Sequence, residues 1–180
     1  QNTIFENNRK LKLVVPCQNE KDKDELIYKE FMAYKFFEEL SDIHLKTQAV
    51  SLKIIELKNG KEIEHNMFAF LVEDDDKVAD RHAIKKYPSR RMSPLAVKDS
   101  SAINFTLFSY MIGNTDWSLA YQHNTEMFFD GKRMIAVPYD FDHSGLVNAF
   151  YAKPNPMLKI SSVTERVYSC LLYTSPSPRD

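Results

Sequence analysis

The chain is poor in several residues on which common kinds of functional site depend. Its 180 residues include four glycines, two cysteines and one tryptophan. A Walker-type phosphate loop is absent from the sequence, because that loop needs clustered glycines followed by a lysine. Cys17 and Cys170 give neither a disulfide framework nor a zinc-ligand spacing. The sequence therefore points away from P-loop nucleotide binding and from disulfide-rich or zinc-stabilised folds.

Long apolar runs and a strong net charge are also missing. No stretch approaches the roughly 20 apolar residues of a membrane helix, and the net charge is −1. Such a balance gives no overall field that would attract nucleic acid or an anionic membrane. We expect neither a nucleic-acid partner nor a membrane segment in this chain. It starts at Gln1 and shows no signal peptide, so the sequence leaves both the cytoplasm and the cell envelope open.

The first half of the chain predicts an antiparallel sheet with a helix packed on it. Apolar residues make up 43% of the sequence, enough for a packed core. Residues 10–16 alternate and are rich in β-forming side chains, which predicts a strand that Pro16 ends. A helix capped by Asp22 or Asp24 and ending at Leu40 follows, since apolar residues recur there at helical spacing.

Two further strands complete this predicted sheet. Residues 45–57 and 63–72 are long β-type runs, and Asn59-Gly60 lies between them. Asn-Gly between alternating apolar residues is the strongest short-range signal for a hairpin. Residues 1–73 therefore predict a small domain of at least three antiparallel strands and one helix.

The middle of the chain carries an acidic run and then a basic loop. Residues 73–76 lack the glycine and the spacing of an EF-hand, which favours a solvated charge run over a calcium site. A short helix is predicted over residues 78–86. Prolines and arginines in residues 85–94 predict a basic, mobile loop.

The next predicted helix, residues 99–112, leads into the most polar part of the sequence. Asp99 or Ser100 caps it, and Gly113 ends it. Its apolar side chains lie around most of its circumference, which indicates a buried helix. A polar loop that follows such a rigid element is well placed to carry a functional site.

A second hairpin follows that loop. Residues 125–129 and 132–137 predict strands, and Asp-Gly at 130–131 predicts a two-residue type I′ turn. A hairpin brings its two ends side by side, so Asn124 and Asp140 are expected to be neighbours. The polar residues that gather around these ends are Asp116, His123, Asn124, Asp140, Asp142 and His143. Carboxylate and amide oxygens are the ligands that Mg²⁺ takes in proteins.

This order of buried helix, Asp loop, Asn, hairpin and Asp-Phe-Asp resembles the catalytic and metal-binding loops of protein-kinase-like folds. Gly-Asn-Thr-Asp-Trp-Ser at 113–118 and Tyr-Asp-Phe-Asp at 139–142 are similar to the bacterial spore-coat protein H (CotH) kinase family and, more distantly, to HipA-type kinases. The resemblance implies an atypical kinase-like phosphotransferase. Its cofactors would be ATP and Mg²⁺ or Mn²⁺, and phosphate would pass to an unidentified hydroxyl-bearing substrate.

The resemblance also implies roles for single residues. Asp116 would be catalytic and accept or orient the hydroxyl proton, Asp140 would be the main metal ligand, and Asn124 and Asp142 would be further ligands. Asn124 lies eight residues after Asp116, whereas this spacing is about five in the kinase catalytic loop. The loop is therefore longer here than in the family.

A kinase-like nucleotide site further implies a lysine on the first strand and a glutamate on the first helix. Lys12, rather than Lys10, would meet the nucleotide phosphates, and Glu30 would pair with that lysine. Each has a plainer interpretation, because solvated edge lysines and surface glutamates are common.

The implied fold is α+β: an atypical protein-kinase-like fold with an antiparallel-sheet small lobe (1–73) and a truncated helical large lobe (99–169). Residues 74–98 would be the hinge and basic loop. In a truncated lobe the helix over 102–112 would be partly uncovered. Residues 170–180 resemble a translated sequencing adapter and are expected to be a non-native tail.

Two other functions use the same residues. A metal-dependent phosphoester hydrolase would draw its ligands and acid–base groups from the following set: Asp116, His123, Asp140, Asp142 and His143. A non-catalytic binding protein would keep the kinase-like fold without the reaction. Metal binding that depends on nucleotide would distinguish the phosphotransferase from the hydrolase and from the non-catalytic binding protein.

Overall fold

The computed structural model describes Glu6 and residues 10–16, 23–87 and 91–168. Cys17, Asp22, Arg90 and the tail 170–180 lie outside these ranges. In the described part the fold is α+β, with two three-stranded antiparallel sheets and three α-helices. None of these helices is both long and apolar enough to cross a membrane.

The first half forms the predicted sheet and helix. Its elements are β1 (Leu11–Val14), α1 (Lys23–Leu40), β2 (Thr47–Lys58) and β3 (Lys61–Glu73). The strand order is β1-β3-β2, so β3 is central. Helix α1 packs on β3, where Phe31 and Tyr34 contact Phe70 with ring centroids 5.6 and 5.5 Å apart. Offset and edge-on aromatic pairs of this kind stabilise the contact beyond the area they bury.

The β2–β3 hairpin has the turn that its sequence predicts. Asn59 (φ 52°) and Gly60 (φ 75°) both adopt the left-handed backbone that a type I′ turn requires. Lys58 pairs with Lys61 across this turn. Residues 53–64, which we call the arm, are exposed throughout.

The second half contains the remaining elements. They are α2 (Asp75–His82), β4 (Lys85–Lys86), a 3₁₀ turn (Pro94–Ala96), α3 (Asp99–Ile112), β5 (Thr125–Phe129) and β6 (Met134–Pro138). The second sheet has the order β4-β5-β6. Helix α3 is tied to β6 by Ser101, whose hydroxyl accepts from the Ala136 N–H at 2.9 Å. Every residue of β6 is buried.

The predicted helix over 78–86 and the basic loop from Lys85 are wrong in their bounds. The helix begins earlier because the Asp74 side chain caps it, accepting the Asp76 N–H at 3.0 Å. Ala83 then adopts a left-handed backbone and ends the helix. Lys85 and Lys86 pair with β5 and are a short strand. The acidic run thus supplies a helix cap and first turn.

Two predictions about α3 are also corrected. Its N-cap is Lys98, without a side-chain cap, and Asp99 lies in the first turn. The helix is not buried on all sides: Leu107 and Met111 are about half exposed. The opposite face, including Phe105 and Phe108, is buried. One face of this helix is thus uncovered in the described part of the chain, whereas the truncated large lobe from which we expected this stays a prediction.

The turn of the β5–β6 hairpin is longer than predicted. Phe129 pairs with Met134, so four residues connect the strands. The Asp130 side chain accepts the N–H groups of Lys132 and Arg133, each at 2.9 Å. A side chain that bonds the following amides favours this open form over the two-residue type I′ turn.

Aromatic side chains join the two halves in one core. Phe37 of α1 lies 5.0 Å from Phe108 of α3, and Phe108 lies 5.5 Å from Phe141, which follows β6. Tyr34 of α1 contacts Phe141 at 4.7 Å. The segment after β6 is thereby packed between α1 and α3, which brings residues from both halves to one place.

Candidate functional site

The loop between α3 and β5 is anchored around Asp116. Asn114 is buried, and its Oδ1 accepts the Asp116 N–H at 3.0 Å. Its carbonyl accepts the Trp117 Nε1–H at 3.1 Å. Trp117 packs edge-on against Phe105, with ring centroids 4.9 Å apart. The backbone position of Asp116 is therefore fixed by the end of α3.

The Asp116 carboxylate has one partner on each oxygen. His123 Nε2 lies 3.0 Å from Oδ1, and Asn124 Nδ2 donates to Oδ2 at 3.0 Å. Asn124 Nδ2 also lies 2.9 Å from the Asp116 carbonyl oxygen. Asn124 adopts a left-handed backbone, φ 48°, immediately before β5. The longer spacing between Asp116 and Asn124 thus does not separate them.

A small closed turn accounts for the extra loop residues. Ser118 and His123 exchange two backbone hydrogen bonds, each 3.0 Å long. The residues between them fold away as a turn, and Leu119 in this turn is buried. Because this turn closes on itself, His123 lies beside Asp116 although the two residues are seven positions apart.

The other half of the site begins where β6 ends. Asp140 has a left-handed backbone, φ 62°, which is uncommon outside glycine and least costly for Asn and Asp. Its N–H donates to the hydroxyl oxygen of Tyr34 on α1 at 3.0 Å. The next residue, Phe141, is fully buried against α1 and α3. These contacts hold the Asp-Phe-Asp segment in one conformation.

Glu30 lies in the interior, beside this segment. It is 5% exposed, and its carboxylate accepts the Phe141 backbone N–H. Burial, followed by the negative charges of Asp140 and Asp142, raises the pKa of Glu30 to about 8. Lys12 opposes this shift. The surface interpretation of Glu30 is therefore wrong, and the residue faces the predicted site.

Lys12 reaches the site from β1, where it pairs with Val72 of β3. Its ammonium lies over the ring of Tyr139, 5.6 Å from the centroid. Its positive charge offsets part of the rise in the pKa of Glu30 and of Asp140, which burial causes in the first place. No direct ion pair joins Lys12 to Glu30, although the positions of both residues are described.

Asp140 and Asp142 form a carboxyl pair. Burial, the neighbouring Asp142 and, more weakly, Asp116 raise the pKa of Asp140. The Asp142 side chain lies close enough for its negative charge to disfavour ionisation of Asp140. Four carboxyl groups thus share one field with a single lysine. Oxygen donors with excess negative charge fit a hard divalent cation such as Mg²⁺.

The structure gathers five of the six predicted site residues in this field: Lys12, Glu30, Asp116, Asp140 and Asp142. The sixth, Asn124, is tied to Asp116 by its amide nitrogen. His143 packs against Tyr151 instead, with ring centroids 5.7 Å apart.

Sequence reasoning missed two tyrosines of the site. Tyr34 lies four residues after Glu30 on the buried face of α1, so helical spacing alone could have placed the two together. Tyr139 precedes Asp140 directly and lies under Lys12. A half-buried aromatic next to an acidic pair carries no sequence signal of its own.

A second acidic group, on α2 and β5, also lies near Tyr139. Asp75 pairs with Lys86, and Glu126 of β5 lies close to Asp75. Burial and the Asp75 charge raise the pKa of Glu126 to about 7. Carboxylate oxygens of Asp74, Asp75 and Asp76 lie within 4.8 Å of one another. Lys86 already neutralises part of this charge.

No protein-family model matches the chain, and neither a curated protein nor a solved structure matches it. The function assigned to the site consequently rests on the chemistry of its own residues.

Proposed function

We propose that this chain is an atypical kinase-like phosphotransferase that uses Mg²⁺-ATP and a hydroxyl-bearing acceptor. One observation carries the proposal: Lys12 and Glu30, from the first sheet and its helix, lie beside the segment after β6 that holds Asp140 and Asp142. The same segment is hydrogen-bonded at Tyr139 to Asn124, which contacts Asp116. A strand lysine, a helix glutamate, a loop aspartate and an aspartate after a hairpin are the parts of a kinase site.

Each residue then has a defined task. Asp116, held by Asn124 and His123, orients the acceptor hydroxyl and takes its proton. Lys12 would pair with the nucleotide phosphates, and Glu30 lies near enough to Lys12 for their charges to interact, without a direct ion pair between them. In this assignment the sheet and α1 supply the nucleotide side of the site, and the loop before β5 supplies the acceptor side.

The cation would be held by Asp140 and Asp142, with Asn124 as a further ligand. The Asn124 amide nitrogen is occupied by Asp116, which leaves its amide oxygen as the atom that can face a cation. Bound Mg²⁺ would neutralise charge on the phosphate oxygens. The raised pKa of Asp140 supports the fit, since crowded carboxyl groups gain from a positive charge among them.

The contact between Asp116 and His123 favours a second candidate, the metal-dependent phosphoester hydrolase. That function would need both histidines near the carboxylates. His143 lies against Tyr151, and of the two histidines only His123 contacts one of these carboxylates in the described chain. The phosphotransferase therefore fits the geometry better.

Thermal unfolding with and without ligands tests the proposal. ATP and Mg²⁺ together should raise the apparent stability by about 2.7 kcal/mol at a ligand concentration 100 times Kd, and either alone should do much less. Asp140→Asn should abolish this gain. Asn tolerates the left-handed backbone at this position, so the variant keeps the fold. Asp80→Asn on the exposed side of α2 is the matched control and should keep the gain.

Each alternative has its own outcome. Stabilisation by Mn²⁺ or Zn²⁺ without nucleotide, lost in Asp140→Asn, would replace the phosphotransferase with the hydrolase. No stabilisation of the folded wild-type protein by any of these ligands would leave the non-catalytic binding protein. An equal ligand effect in wild type and Asp140→Asn would contradict the assigned metal site.

A further inference from the structure

The geometry around Asp116 identifies one more residue of the site: we propose that His123 is a positioning residue that fixes the Asp116 carboxylate toward the acceptor hydroxyl. The catalytic part of this inference rests on the proposed function. The structural part rests on the contacts alone.

The contact fixes the hydrogen-bonding state of His123. An ionised carboxylate only accepts hydrogen bonds, so the Nε2 atom that lies 3.0 Å from Asp116 Oδ1 must carry a hydrogen. The ring is otherwise open to solvent, with 57% of its side chain exposed. Asp116 is therefore the side-chain partner of an otherwise exposed ring.

The backbone of His123 is held from several sides. Two backbone bonds join it to Ser118, and its carbonyl accepts the Thr125 hydroxyl at 3.0 Å. Leu119, within the same turn, is 2% exposed and lies in the same buried apolar cluster as Phe105 and Met127. A side chain on such a base has a defined direction, unlike one on a free loop.

His123 and Asn124 act as a pair on opposite oxygens of one carboxylate. With both donors present, the carboxylate plane has a single orientation. Without His123, Asn124 remains on Oδ2, and Oδ1 is free to turn toward water. Because a misplacement of about 1 Å can cost up to about 100-fold in rate, the loss of one such donor matters for transfer.

Kinetics of ATP turnover test the catalytic part. With Mg²⁺-ATP and water as acceptor, His123→Ala should lower kcat about tenfold while KM for ATP stays within about twofold. His123→Gln places an amide nitrogen where Nε2 lies and should restore kcat to within about threefold. The matched control is His65→Ala, which removes a similar pair, since His65 Nε2 lies 3.0 Å from Glu56 on the arm. It should change neither constant.

A fall in KM alone, or no rescue by Gln with the fold intact, would overturn the positioning role.

Nitrogen NMR of the histidine rings tests the contact without any turnover. His123 should be protonated at Nε2 in the wild-type protein and shift toward a mixture of tautomers in Asp116→Ala. Identical His123 signals in the two proteins would sink the contact itself. Absence of turnover in the wild type would count against the proposed function, and the NMR result would then decide the contact separately.

Discussion

The β2–β3 and β5–β6 hairpins have similar sequences, with β-forming residues on both sides of a turn that contains glycine. They differ in burial, because the first extends into solvent and the second lies in the core. In the first, the arm is exposed on every residue; in the second, each residue of β6 is buried. The ends of the buried hairpin carry Asn124 and Asp140. The exposed hairpin contributes only its base, where Val72 pairs with Lys12. Burial on both sides, more than strand length, is what fixes a side chain well enough for a site.

The largest expected difference between the hairpins is in stability. Phe128 is fully buried in β5, and Leu57 on the arm is 75% exposed. Phe128→Ala should lower the free energy of unfolding by about 3–5 kcal/mol, because it leaves a cavity in the core. Leu57→Ala should change it by less than about 0.5 kcal/mol. Urea unfolding measures both, and similar losses would show that the arm is packed in solution.

A smaller, pH-dependent difference in stability is expected when Glu126 on β5, rather than Glu62 on the arm, is replaced. Burial and Asp75 raise the pKa of Glu126 to about 7 from 4.5. The native state therefore binds more protons than the unfolded chain between these values, and stability falls as pH rises through them. Glu126→Gln removes this loss. One pKa unit corresponds to about 1.4 kcal/mol, which partial exposure reduces, so the gain at pH 8 should be about 1–2 kcal/mol.

At pH 4 the same variant should match the wild type within about 0.5 kcal/mol, because both states are then mostly protonated at this position. Glu62→Gln on the arm is the control and should have the same small effect at both pH values. A gain from Glu126→Gln that is equal at pH 4 and pH 8 would contradict the raised pKa.

The smallest expected effect is at the turn of the arm. Gly60 has φ 75° and open space around it, so Gly60→Ala strains only the backbone, by about 1 kcal/mol. We expect this strain to fray the arm locally rather than to unfold the domain. Amide exchange should speed up within residues 53–64 and stay unchanged in β5 and β6. Uniformly faster exchange would mean that the arm unfolds together with the core.

The same contrast explains which features the sequence could predict. The type I′ turn at Asn59-Gly60 follows from backbone preferences alone and is confirmed. The predicted two-residue turn after Phe129 was wrong because the Asp130 side chain accepts hydrogen bonds from two following backbone N–H groups. This interaction competes with the turn type that Asp-Gly favours. The prediction that α3 is buried on all sides was wrong, because the sequence shows which of its residues are apolar and not which of them other elements cover.

The site was predictable in its parts and not in its assembly. Hairpin geometry correctly placed Asn124 near Asp140, since Tyr139 N–H donates to the Asn124 carbonyl at 3.2 Å. The burial of Glu30 depends on packing of α1 against the second half, a tertiary contact that no local pattern encodes. The protein-kinase-like fold and the domain limits stay predictions.

The hydrogen bond from Asp140 to Tyr34 joins positions 106 residues apart in the chain. Closing so long a loop costs entropy that local structure does not recover, so contacts of high sequence separation form late in folding. We expect the two hairpins and α1 to form early from neighbouring residues, and the carboxyl cluster to form only after α1 has docked. Protection of the Asp140 amide from hydrogen exchange during refolding should therefore appear at the time when the site forms.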